Sequence, residues 1–306
     1  MTENIEDLTP FLRDRCWMFV HLARRSNVGV ILRRGPTEWW RVTLWDTGRD
    51  GFEGGQWFRG RMYPDKCDVS PDGKLFIYFA GQFRPRNSAA GYTSTWTAVS
   101  RPPYLTALAL WPIGDTGGGS GVFLDDRTVL VNTSSYSSGY SSGYSSGASH
   151  HPDHVPGPLR VIEHRDLEEG DPRRAAEPSW LSGWQGVPAA TQPNRNYPSY
   201  AGWRKTSGGF ILEREAEVRG GAVYDGIYPS KRPSRYALYR PREEPVALFD
   251  AHWADWDQQG RLVAAVGGRI LAGKVTRGRT LLWRQLAAMN EDRPISMEAP
   301  GWAQSW

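Results

Sequence analysis

The chain has 306 residues, 37 Lys and Arg against 33 Asp and Glu, and a hydrophobic content of 39%. That is length for one large all-β domain or two small ones, and a formal charge of +4 is far from a histone-like balance. Abundant Gly (34), Pro (22), Trp (15) and Tyr (13) exclude a helical bundle and suit short strands joined by tight turns.

In chain order, one pattern recurs: a strongly apolar strand, a polar turn, then a second apolar strand. The copies are CWMFVHL-ARRSN-VGVILRR, CDVS-PDG-KLFIYFA, SGVFL-DDR-TVLVN, YAGWRK-TSGG-FILEREA and HWADWD-QQG-RLVAAV. Their turns fall near Arg25, Pro71, Asp126, Ser207 and Gln259, so most units repeat at roughly 46 to 55 residues and the third, with an insert, at about 80. Two further strands complete each unit: EWWRVTLWD and GGQWFRG, TSTWTAVSR and LTALALW, LRVIEHR and PSWLSGW, SRYALYR and EPVALFD, RILAGKV and TLLWRQL. Many alternate apolar and polar residues, as half-buried strands do.

The segment CDVSPDGKLFIYFA resembles the TolB-like and WD40-like propeller repeat, with Ser70, Pro71, Asp72 and Gly73 as the turn between its first two strands. Pro presets φ, Asp hydrogen-bonds locally and Gly permits positive φ. Period and resemblance together predict an all-β, five-bladed β-propeller of four-stranded antiparallel blades. The blades span approximately 16–61, 66–112, 119–185, 199–250 and 252–287, with a low-complexity insert at 134–157. The resemblance implies a fold and says little about activity, because propellers host many functions. The tail after 287 is open to a role as a clasp.

Long insertions fall between the second and third strands of units two, three and four, over 81–91, 134–157 and 218–233. Long loops on a rigid scaffold are where binding concentrates. Their aromatic and Arg residues are the candidate binding set: Phe83, Arg84, Arg86, Tyr136, Tyr140, Tyr144, Tyr224, Tyr228 and Arg232. The tyrosines of the 134–157 insert recur every four residues in a Ser/Gly background that cannot fold alone.

Chemistry is sparse. Two G-x-S-x-G matches around Ser141 and Ser145 lack the strand and helix of a nucleophile elbow. The run from Gly268 to Lys274 nearly matches a phosphate-binding loop, but Val275 stands where the hydroxyl belongs and the sequence reads as a strand. His150, His151, Asp153 and His154 are the one cluster of metal-ligand types, and their spacing matches no closed site. Asp68, Asp125, Asp126, Asp255 and Asp257 lie on or beside first strands, where aspartates serve as hydrogen-bonding structural residues or, in a propeller hydrolase, as a carboxylate pair. Nucleic-acid binding needs the Arg residues on one face with aromatics between them.

Cys16 and Cys67 make neither a disulfide framework nor a zinc site. No apolar run approaches the ~20 residues of a membrane span, and no signal peptide is visible. The sequence therefore predicts a cytoplasmic, non-catalytic platform for a protein partner, with no cofactor and no membrane or nucleic-acid contact. The alternatives are a carbohydrate-binding lectin-like propeller and a propeller-fold hydrolase.

Overall fold

The computed structural model describes residues 4–14, 16–83, 92–133, 150–188, 200–219, 222–224 and 232–306. The chain is all-β, built mainly of antiparallel sheets. It divides into two compact units. Unit 1 comprises Met1–Val20 and Leu181–Asp292; unit 2 comprises His21–Trp180 and Arg293–Trp306.

The first sheet runs in the order β1 (Trp17–Leu22), β2 (Val28–Arg34), β3 (Trp39–Asp46) and β4 (Gly51–Arg59), with the unit boundary falling inside β1. In the second, β5 (Arg61–Met62) and β6 (Asp68–Val69) both pair with β7 (Phe76–Gly81), followed by β8 (Thr95–Ser100) and β9 (Ala109–Pro112). The third holds β10 (Ser120–Phe123), β11 (Thr128–Asn132) and β12 (Arg160–Glu163). The fourth begins with β13 (Gln185–Pro188), β14 (Tyr200–Ser207) and β15 (Phe210–Glu215). A separate two-stranded ribbon, β16 (Glu217–Arg219) with β17 (Ala222–Tyr224), interrupts the chain before β18 (Ser234–Tyr239) and β19 (Ala247–Ala251) complete the fourth sheet. The fifth is the meander β20 (Trp253–Trp256), β21 (Leu262–Val266), β22 (Arg269–Val275) and β23 (Leu281–Ala288).

Every turn expected from the recurring pattern joins two neighbouring paired strands: β1–β2, β6–β7, β10–β11, β14–β15 and β20–β21. Three sheets depart from the expected four antiparallel strands: the second and fourth have five, and the third has three, with β12 pairing β11 in parallel, Val129 opposite Val161. The long insert between them explains this, since a chain returning from 134–157 is free to re-enter from the same end, whereas a short turn forces reversal. PSWLSGW is not a strand; Ser179–Leu181 forms a 3-10 turn. The strand that follows, β13, pairs with β14 and so belongs to the fourth sheet.

In unit 2 the second and third sheets share a core of Ile77, Val99, Trp111, Phe123, Val129 and Val131. The tail closes over the margin of that core. Trp306 packs against it and donates its indole N–H to Val155 O at 2.7 Å, while Gln56 donates to Met297 O at 3.0 Å. The tail is thus a clasp on unit 2. In unit 1, Tyr236 stacks on Phe249 (5.4 Å), which meets Trp283 edge-on (5.0 Å). Ile5 exchanges both backbone hydrogen bonds with Trp283, adding one residue of the N-terminal segment to the edge of the fifth sheet. Both cysteines are buried and unbridged. Among the described residues no helix is long and apolar enough to cross a membrane.

Candidate functional site

The expected binding set falls largely outside the described residues: Arg84, Arg86, Tyr136, Tyr140, Tyr144 and Tyr228 lie there, and for Tyr224 the backbone alone is placed, in β17. Phe83 follows β7 and is 55% exposed, and Arg232 is exposed before β18.

The histidine cluster is built for packing. Tyr92 stacks on His151 with ring centroids 4.2 Å apart. The Tyr92 hydroxyl meets His154 Nε2 at 3.1 Å, and His154 Nδ1 lies 3.0 Å from Ala107 O. A carbonyl only accepts, so Nδ1 carries the proton and Nε2 accepts from the tyrosine. His151 Nδ1 accepts from Asp153 N at 3.2 Å. Among the described residues no group of three or more His, Cys, Asp or Glu side chains is placed to hold a metal ion.

The first-strand aspartates are likewise engaged. Asp68 is fully buried: Oδ1 accepts from Ser179 N (2.7 Å), and Oδ2 from Phe123 N (2.8 Å) and Arg24 (3.4 Å). Burial pushes its carboxyl above the ordinary aspartate range, with Arg24 and the backbone donors opposing. Asp255 is held by Lys205 Nζ (2.8 Å), the Trp184 indole N–H (3.2 Å) and Trp256 N (2.6 Å), and burial again pushes its carboxyl up. Asp125 and Asp257 accept the N–H groups of their own turns, and Asp126 accepts Asp72 N (2.9 Å). The near match to a phosphate loop is the regular strand β22.

What the sequence did not single out is an arginine–tryptophan face on the first sheet. Register places Arg33 opposite Arg41, Arg41 opposite Trp57, and Trp39 opposite Arg59, so these side chains share one face of β2, β3 and β4. The Arg33 and Arg41 guanidiniums lie 5.1 and 5.6 Å from the Trp57 ring, and Arg59 lies 5.9 Å from Trp39. The two indoles meet edge to face at 6.4 Å. Arg33 is buried beneath and donates to Gly35 O. Glu38 lies near Arg59, at 3.8 Å. The opposite face carries Arg34 over Trp40 (5.6 Å), and burial, with Arg61 nearby, holds the Arg34 pKa below its ordinary value. Guanidiniums stacked on indoles are preorganised, and their planar edges match carboxylate or phosphate geometry. The signal was present as the alternation of Arg and Trp in RRGPTEWWR and QWFRGR, but alternation reveals a shared face only once register is known.

These sheets define an all-β protein with antiparallel architecture. No family model matches the sequence, and no curated protein matches it. Among solved structures, an uncharacterized protein, lmo1340, from Listeria monocytogenes EGD-e is similar at 8% identity and a TM-score of 0.31, over 98% of this chain and 90% of that one. Pyrococcus horikoshii acylaminoacyl peptidase is similar at 10% identity and a TM-score of 0.24, over 88% of this chain and 37% of that one. Likeness at these scores assigns neither fold nor function.

Proposed function

We propose that the chain is a five-bladed β-propeller that serves as a non-catalytic platform for a protein partner, and that the partner presents an acidic segment to the arginine–tryptophan face. The propeller reading is supported by recurrence of a hairpin in each of the five sheets and by Ile5 pairing with the edge strand of the fifth sheet, as expected where a chain end closes a ring. The binding reading rests on one observation: Arg41 and Arg59 stacked on Trp57 and Trp39, on one sheet face. Trp and Arg are the side chains that dominate interface hot spots, and a cationic face selects an anionic partner. The face also meets the requirement for nucleic acid that Arg and aromatics alternate. Arg41 and Arg59, however, lie over the Trp57 and Trp39 rings, where a base would have to stack, and Arg59 is exposed, which favours carboxylates over stacked bases. A cytoplasmic location and the long loops as a second contact set belong to the same proposal.

Titration with a poly-glutamate peptide, followed by tryptophan emission at low salt, tests it. The peptide is expected to bind saturably and at least tenfold more weakly to the Arg41→Ala/Arg59→Ala variant. Tighter binding of an oligo-thymidylate than of the peptide, or equal binding by the variant, would sink the acidic-partner reading.

A further inference from the structure

Unit 2 holds a strand with one bare edge. β12 (Arg160–Glu163) pairs with β11, and no described residue pairs with its other side. In a parallel ladder alternate residues turn their N–H and C=O groups to the neighbour. Arg160 N donates to Arg127 O (2.8 Å), so Arg160 and Ile162 bond to β11 while Val161 and Glu163 direct theirs away from it. Two other outer strands are covered. In β9, Leu110 O accepts from His151 N (2.7 Å) and Leu110 N donates to His154 O (3.3 Å), and in β23 Trp283 exchanges both bonds with Ile5.

A cleft of about 490 Å³ opens on that edge, and Arg160, Val161, Ile162 and Glu163 all line it. Successive side chains of a strand point to opposite faces, so a cavity lined by four in a row meets the strand edge-on. Trp111, Pro156 and Leu167 supply apolar wall. Charged lining groups are already engaged: Glu163 accepts from Thr133 (2.9 Å) and pairs with Arg165 (2.7 Å), and Arg173 pairs with Asp171 (2.5 Å). What the cleft offers is therefore main-chain donors and acceptors beside apolar surface.

We infer that β12 takes up an extended segment of a partner protein as the fourth strand of its sheet, bonded to the outward groups of Val161 and Glu163. A bare main-chain edge selects main chain, and this mode of recognition draws specificity from places for alternate side chains. Register supplies one such place: Phe123, Val129 and Val161 lie in one row across the sheet, on the face that packs with Trp111. The incoming residue beside Val161 on that face is apolar and β-branched, and extends the row. Because the edge lies within a cleft between Pro156 and Leu167, an extended segment reaches it where the folded edge of a second copy does not. The site is separate from the arginine–tryptophan face.

Anisotropy titration of the full chain into a fluorescein-labelled heptapeptide, valine and threonine alternating between lysine ends, is the test. Saturable binding is expected at sub-millimolar concentration. The same peptide N-methylated at one valine and the adjacent threonine, which blocks both of its edges, should bind at least tenfold more weakly. Val161→Pro removes an outward N–H that makes no bond to β11, as proline on an edge strand can, and should also weaken binding at least tenfold. The Arg41→Ala/Arg59→Ala variant should bind this peptide as wild type does, which keeps the test apart from that of the acidic partner. Amide exchange on the unaltered chain needs no variant: exchange at Val161 and Glu163 should slow at least tenfold with saturating peptide. Absence of saturable binding, equal affinity for the methylated peptide, or Val161→Pro binding within twofold of wild type would each overturn the assignment. So would slow exchange of both amides in the free chain, or a dimer that Val161→Pro dissociates, because the edge would then already be covered.

Discussion

The hairpins headed by Asp68 in unit 2 and Asp255 in unit 1 are two versions of one device. In each, the residue two positions after the aspartate closes the turn through its backbone N–H: Ser70 to Leu75 O and Asp257 to Arg261 O, both at 2.9 Å. Five positions after it comes a glycine at positive φ, Gly73 or Gly260. Each aspartate is buried and made tolerable by a cation and by N–H donors. They differ in the donors. Asp68 takes backbone N–H groups from Phe123 and Ser179, and its cation, Arg24, itself donates to Phe123 O (3.0 Å) and Glu177 O (2.8 Å). Asp255 takes a side-chain indole, the N–H of its own neighbour and a lysine. Backbone donors far away in sequence cannot turn elsewhere when the carboxylate is lost, whereas a lysine stem can swing toward water.

The largest expected effect follows from that asymmetry. Asp68→Ala strands two buried amides and deprives Arg24 of its carboxylate, and the expected loss is about 3–4 kcal/mol, mostly the desolvation of the two amides. Asp255→Ala should cost about 2 kcal/mol, the desolvation of one indole N–H plus a relaxed lysine. Hydrogen-exchange mass spectrometry with urea resolves the two units: the first variant should lose protection over β6, β7 and β10, the second over β14 and β20 to β22. Equal losses in both variants would break the comparison and show that the identity of the donors is immaterial.

A second contrast is acid sensitivity. Burial lowers the pKa of His21 in unit 2 to about 3 and of His252 in unit 1 to about 4. Between those values and the ordinary 6.5 the unfolded chain binds a proton that the folded one refuses, so stability is complete above about pH 6.5 and falls as pH drops through this window. Each histidine contributes a slope of about 1.4 kcal/mol per pH unit, hence roughly 2 kcal/mol between pH 6.5 and 5. The decline should level off near pH 4 for His252 and continue to about pH 3 for His21. Urea midpoints from pH 7 to 3, with His21→Leu and His252→Leu flattening the curve of their own units, check this. A midpoint indifferent to pH down to 5 would show that both imidazoles reach solvent.

Much of this architecture was legible. The turns near Arg25, Pro71, Asp126, Ser207 and Gln259 are hairpins because each places a polar turn between two apolar runs, and both features are local. The strand over Arg160–Glu163 was legible as a strand but not as a parallel partner of β11, since alternation fixes which face a residue takes and carries no direction. PSWLSGW reads as the close of the third repeat but holds a 3-10 turn, and the strand just after it, Gln185–Pro188, pairs with β14, because nothing in so short a run names its neighbour. The site was less legible than the fold. Loop aromatics such as Phe83 are conspicuous by composition, whereas the arginine–tryptophan face needs the register of three strands.

The smallest expected effect sharpens the comparison at its turns. Gly73 and Gly260 adopt φ of 77° and 72°, so alanine at either meets the same left-handed penalty of about 1–2 kcal/mol. Their surroundings differ. A methyl at Gly73 would lie 2.6 Å from Val28 Cβ, a branched carbon on the neighbouring hairpin, whereas a methyl at Gly260 would meet Ser207 Oγ at 3.3 Å, which a rotamer change relieves. Gly73→Ala should therefore cost about 1 kcal/mol more than Gly260→Ala, the low end of what an overpacked methyl costs. Replacing Val28 by Gly in the Gly73→Ala background removes Cβ and its branches and should bring the two glycine penalties together, as read from a double-mutant cycle of urea midpoints. If the gap persists without Val28, the turn around Asp72 differs from the one around Gln259 in backbone strain, not in packing, and the two hairpins are no longer one device in two settings.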